Sequence, residues 1–272
     1  MNTLQKTAIA AAISGLFAPA VFAQAAPAPE ASPVTANVTV VSDYRFRGIS
    51  QSNFKPAIQG GFDYAHESGF YIGNWNSSIS WISDAYTATG SSTAKGNVTA
   101  PIEMNFYGGF KKELIAPGFA SDIGVYQYAY PTSGLTGVNP NTTEIYAAQN
   151  FTAGPVTGFL KFSYAVTNTF GNANSTGSYY PDLTMNYDTG VWGIGLNAHV
   201  GYQYIAGSPS GVSNSNLYSY TDWKIGLTKD FGGGLSGAIA YIDTNAKISG
   251  YPSPQGKNLG GSTGIVSLTK TF

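Results

Sequence analysis

The side chains that most often carry chemistry are scarce in this chain, which has two histidines, His66 and His199, and no cysteine. The lack of cysteine removes thiol nucleophiles, disulfides and thiolate metal sites together. A hydrolase would need a serine, a histidine and a polar orienter at one place. Ser163 could be paired with His199, but nothing in the sequence brings them together, and His199 reads as a hydrogen-bonded interior histidine. His66 falls in a turn. No H-x-x-x-H pair and no Asp-rich loop of calcium spacing occurs, and Asp84 stands alone in its loop. The glycine-rich stretches 231–234 and 258–264 precede no helix, so they are turns rather than phosphate cradles. No catalytic residue, cofactor or metal is expected, and a lipid-cleaving hydrolase is the weakest of three readings.

What remains is charge placed at a spacing of two. Asp43, Arg45 and Arg47 alternate with Tyr44 and Phe46, and in a strand this period sends the charges to one face. Val38, Val40, Tyr44 and Phe46 then share the other. A charge facing lipid costs about 2–4 kcal/mol near the midplane, so in a membrane barrel the charged face must be the lumen. The same reasoning sends Asp63, Glu103, Lys111, Glu144, Lys161, Asp182, His199, Asp222 and Lys224 inward. These groups either line a water-filled pore and set its selectivity, or pair with one another to brace a filled interior. Both signs occur, so charge selectivity should be weak.

The elements that position them are strands. Period-2 alternation is clearest over 191–204, where Trp192, Ile194, Leu196, Ala198, Val200, Tyr202 and Tyr204 share one face. Similar strands are placed near 37–47, 57–66, 70–81, 101–111, 121–130, 143–151, 156–166, 179–188, 218–229, 235–243 and 262–272, about twelve in all. Short connections such as 66–69, 152–155, 188–190 and 231–234 alternate with long ones such as 82–100, 205–216 and 244–261, with 112–120 as one longer turn in the short set. That asymmetry is typical of an outer-membrane up-and-down β-barrel, with tight periplasmic turns and long outside loops. Both termini then lie in the periplasm. Tyr179, Tyr180, Tyr202, Tyr204, Tyr218 and Tyr220 are expected at the interfacial aromatic girdle.

Composition agrees. Charged residues make up only 10% of the chain, against about 25% in soluble domains. No basic run exists to neutralise phosphates, so nucleic acid is not a partner. Residues 1–23 have the lysine, apolar stretch and small residues of a cleavable secretory signal, and 24–35 form an Ala/Pro-rich leader before a barrel over 36–272. No later segment reaches the roughly 18 consecutive apolar residues of a helical span. The final strand places Val266, Leu268 and Phe272 on one face, resembling the terminal signal by which outer-membrane proteins reach their insertion machinery. Lys270 departs from that pattern, and near the rim it can snorkel its ammonium to the headgroups.

The opening Ser42-Asp43-Tyr44-Arg45-Phe46-Arg47-Gly48-Ile49-Ser50-Gln51 is followed by Pro56-Ala57-Ile58-Gln59-Gly60-Gly61-Phe62-Asp63-Tyr64 and Ser68-Gly69-Phe70-Tyr71-Ile72-Gly73-Asn74-Trp75. These stretches resemble the TorF porin family, also known as the Gcw_chp family of proteobacterial outer-membrane proteins. Glu103, Gly108, Gly109 and Tyr130-Pro131 fit the same resemblance. It implies a barrel in the Gram-negative outer membrane with a porin role, and brings no substrate and no catalytic residues. The function expected is passive diffusion of small polar solutes through a narrow or gated lumen. The alternative is a closed structural or surface-interaction barrel without an open pore.

Overall fold

The computed structural model describes residues 32–87, 98–131 and 133–272. The expected signal peptide 1–23, and the leader up to residue 31, lie outside the described residues. Fourteen strands form among the described residues: β1 (Val34–Val41), β2 (Arg45–Phe46), β3 (Ile49–Ser50), β4 (Ala57–Ala65), β5 (Phe70–Ser78), β6 (Ile102–Ala116), β7 (Phe119–Ala129), β8 (Thr142–Ala153), β9 (Val156–Ala165), β10 (Tyr179–Asp188), β11 (Ile194–Gln203), β12 (Tyr220–Gly232), β13 (Leu235–Thr244) and β14 (Thr263–Thr271). All but β2 and β3 belong to one closed antiparallel barrel of twelve strands, each paired with the next. Closure is made by β1 against β14, with Val38 opposite Lys270 and Val40 opposite Leu268. Closure leaves no edge strand in the barrel wall among the described residues, as a hydrocarbon environment demands.

The alternation read from sequence becomes the two walls of the barrel. Val40, Ile58, Ile72, Phe106, Ile123, Leu160, Ile225 and Leu268 project outward and stay exposed, while Thr39, Glu103, Asp122, Glu144, Asp182 and Asp222 on the opposite parity are buried. An apolar exterior around a polar interior is the inverse of a soluble domain and fits a transmembrane barrel. The interior is partly filled by tyrosines lying over glycines of neighbouring strands. A Cβ at Gly201 would collide with the Tyr180 ring, and one at Gly124 with Tyr146. Gly73 and Gly109 give Tyr107 and Tyr71 the same room. The inward glycines are therefore seats for aromatic rings.

Short turns such as 66–69 and 233–234 gather with Pro33 and Phe272 at one end, and the described residues of the connections 42–56, 79–101, 130–141, 166–178, 204–219 and 245–262 gather at the other. Two short helices, α1 (Trp81–Thr87) and α2 (Asn214–Tyr218), lie in those long connections.

Four expectations are corrected. Residues 37–47 are not one strand: β1 stops at Val41, and 42–56 turns back into the barrel mouth. Tyr44 and Phe46 therefore do not share the outward face of Val38 and Val40, and Tyr44 is buried. The segment 112–120 is no long turn, because β6 and β7 continue their pairing to Ala116 and Phe119 across a tight Pro117-Gly118 turn. Val191 and Trp192 precede β11 in a turn, with Trp192 at φ 53. Tyr180 and Tyr220 fall on the inner parity and are buried, so they do not join the girdle. Tyr179 falls on the outward parity, and its ring stacks at 5.5 Å on Phe162 and at 4.8 Å on Tyr204.

Candidate functional site: the lumen and its inward hairpin

The strands bring the charged candidates of β4 to β12 onto one inner wall. The register sets Lys111 opposite Asp122, Lys161 opposite Asp182, and Lys224 opposite His199. Tyr107 donates its hydroxyl to Asp63 at 2.6 Å, and Tyr71 donates to Asp122 at 2.7 Å. Lys111 donates to Asn150 Oδ1 at 3.3 Å. The Lys161 ammonium lies 5.6 Å from the Phe159 ring centre and 6.0 Å from that of Tyr146. His199 is held from both sides, with Nδ1 3.0 Å from Asp182 Oδ1 and Nε2 3.0 Å from Asp222 Oδ2. Tyr180 donates its hydroxyl to Asp222 at 2.6 Å.

The remaining candidates, Asp43, Arg45 and Arg47, do not stand on the wall. They form a hairpin inside the loop end of the barrel, with β2 paired to β3 through Arg45–Ser50 and Phe46–Ile49. The connecting residues Arg47 and Gly48 have φ 47 and φ 78. Two positive φ values make the tight turn that matches strand twist. A non-glycine residue held there costs on the order of 1–3 kcal/mol, so surrounding contacts must hold Arg47 in place. Gly48 is required by space as well, since a Cβ would run into Thr244 and come within 2.9 Å of Asp222 Cβ.

The two arginines divide the work. Arg45, which is 0% exposed, donates Nε to Asp43 at 2.6 Å. Its Nη1 donates to the carbonyls of Gly48 and Leu259 at 2.9 Å and of Gly261 at 3.0 Å. Asp43 also accepts from Ser50 at 2.6 Å and Ser52 at 3.1 Å. These bonds shape the hairpin and tie it to the connection 245–262. Arg47 instead reaches the wall. It donates to both oxygens of Glu144, at 3.0 and 2.7 Å, and to Gln203 Oε1 at 2.6 Å. Its guanidinium lies 4.2 Å from the centre of the Tyr180 ring. Burial works against its charge, but Glu144 beside it more than offsets this and holds the guanidinium protonated.

Aromatic packing completes the docking. Tyr44 meets Trp75 edge-on at 5.4 Å and donates to Glu103 at 3.1 Å, the carboxylate that Tyr130 and Asn105 also bind. Phe46 packs at 5.4 Å against both Tyr128 and Phe170. Ile49 packs with Tyr220, Ala246, Tyr251 and Leu259. The hairpin thus touches residues of β5 to β8 and β10 to β12 from inside the mouth. The connection 79–101 adds Ile82, Val98 and Ala100 to this core. Its residues 88–97 lie outside the described residues.

Sequence reasoning missed Asp122, Gln203 and the inward tyrosines. For Tyr71, Tyr107, Tyr146 and Tyr180 the signal was the glycine one strand away.

Among curated proteins none matches this sequence. Solved structures match in fold. The NanC porin has a TM-score of 0.53 at 8% identity, covering 88% of this chain and 98% of that one. The KdgM porin, in complex with disordered oligogalacturonate, has a TM-score of 0.51 at 6% identity, again over 88% and 98%. At such low identity these likenesses establish the fold, a porin-type barrel. Residues 25–272 match the family described as "Bacterial protein of unknown function (Gcw_chp)", and the chain belongs to that family.

Proposed function

We propose that the protein is a porin-like channel of the Gram-negative outer membrane that passes small polar solutes down their gradient, with weak charge selectivity. The observation that carries this reading is the division of the barrel into an apolar outer wall and an inner wall bearing both signs. A lumen so lined offers no continuous track for one ion sign, and transport through it needs no covalent step. In this reading the termini and short turns face the periplasm, and the hairpin lies at the outside mouth. The outward exposure of Val266, Leu268 and Phe272 supports delivery by the barrel insertion machinery. His199 has both ring nitrogens committed to Asp182 and Asp222, leaving neither for Ser163, which argues against a hydrolase.

The docked hairpin favours a second reading, a barrel closed at rest. The two readings differ in conductance. Single-channel recording of the refolded barrel is expected to give discrete steps, small or infrequent in the wild type because the hairpin narrows the mouth. A bilayer that stays sealed over many insertions, for the wild type and for a hairpin-released variant alike, would leave only the closed structural barrel.

A further inference from the structure

Lys270, the atypical residue of the terminal strand, has counterparts. On the outward parity of the described barrel strands the charged residues are Lys112, Lys229 and Lys270, all toward the short-turn end, and Asp243 at the loop end. Snorkelling explains why a long side chain is tolerated there, but not why all three residues share one sign.

Lys229 and Lys270 also flank the same strand. Lys229 pairs with Gly237 and Lys270 with Leu235, both on β13. Each is followed two residues on by an exposed phenylalanine, Phe231 and Phe272. Lys229 donates to the Trp192 carbonyl and Lys270 to that of Gly233, both in short turns. An ammonium has three donors, so each keeps two to offer. Neither joins an ion pair among the described residues.

We propose that Lys229 and Lys270, with Phe231 and Phe272, form a patch that binds the headgroup phosphates of anionic phospholipids in the leaflet at the short-turn end. The inference rests on the membrane reading above. Each ammonium offers its remaining donors to a headgroup phosphate from its own turn, and the rings and Leu268 border the acyl chains, so the lipid rather than free phosphate is the ligand. Nothing in the conduction path takes part.

The test uses Trp192, which is 81% exposed and lies beside Lys229. The folded full-length barrel carrying Trp223→Phe, in which Trp75 and Trp81 lie in the interior and Trp192 is the tryptophan left at the lipid-facing rim, is placed in vesicles holding equal mole fractions of brominated phosphatidylglycerol or brominated phosphatidylcholine. The lipid-dependent part of the quenching should report a preference of about fivefold or more for phosphatidylglycerol, by the scale of juxtamembrane lysine attraction. Lys229→Gln with Lys270→Gln should bring the ratio to one, while Lys112→Gln leaves it in place. Equal quenching by both lipids in the starting protein would overturn the proposal, as would a preference that survives the double substitution. Loss of the preference on adding inorganic phosphate, beyond the effect of chloride at equal ionic strength, would identify a free-anion site instead. No quenching by either lipid would mean that the barrel is not in the bilayer, a failure of the membrane reading.

Discussion

At the loop end of the lumen Asp43, Arg45 and Arg47 are each bound to named partners, and the Arg47 to Glu144 pair is two-pronged and buried. Toward the turn end Lys111 and Lys161 stand opposite carboxylates in register but bind an amide oxygen and two aromatic rings instead. The first region uses charge to fix one element against another. The second keeps charge on the wall, where a passing solute can meet it. Charge that closes the mouth should therefore govern how often or how widely the channel conducts, and charge on the lower wall should govern what it conducts.

The comparison can be broken at several points. Replacing 43–53 by a short Gly/Ser linker should give the largest change, a rise of about fivefold or more in conductance, because a constriction is removed from the path. An unchanged conductance would mean that the hairpin does not obstruct the lumen. Arg47→Ala leaves Glu144 buried without its partner, a change that costs roughly 3–5 kcal/mol in comparable pairs. Its effect on conductance should approach that of the linker while the barrel still folds, as judged by heat-modifiable mobility on gels. Arg45→Ala is expected to act through the hairpin's own shape, so combining it with Arg47→Ala should add little.

On the lower wall, Lys161→Glu should shift the cation-to-anion permeability ratio by about two- to threefold with little change in unitary conductance, since the ring of wall charges sets selectivity. A shift in conductance with no shift in selectivity would reverse the roles assigned to the two regions. The smallest effect sits where they meet. Gly201→Ala pushes against the Tyr180 ring on which Arg47 lies, and should destabilise the barrel by about 1–3 kcal/mol, read by urea unfolding in detergent or lipid.

Most of the barrel was legible because its physics is local. Period two fixes the face of every strand residue, so twelve strands, the alternation of turn lengths and the inward Asp63, Glu103, Glu144, Asp182, His199 and Asp222 followed from spacing alone. The hairpin was not legible, because 42–47 also alternates and continues the pattern of β1, which outweighed the turn-forming Ser42 and Asp43. Arg47-Gly48 takes a turn that Asn-Gly would announce, and what stabilises it there is Glu144 and Gln203, 97 and 156 residues away in sequence. Of the stretches that carry the family resemblance, 42–51 is thus the one that leaves the barrel wall, while 56–64 and 68–75 fall on β4 and β5. Tyr180 and Tyr220 were misplaced for a different reason: tyrosine suits both a membrane interface and a polar lumen, and what holds them inside is Gly201 beneath the Tyr180 ring and the hairpin residue Ile49 against Tyr220.

The central claim is that a docked hairpin stands in the mouth of a conducting barrel. Planar-bilayer recordings of the wild type beside Arg47→Ala test it most directly. The account predicts discrete steps in both, larger or longer-lived in Arg47→Ala. Identical traces from the two proteins, whether sealed or freely conducting, would contradict it.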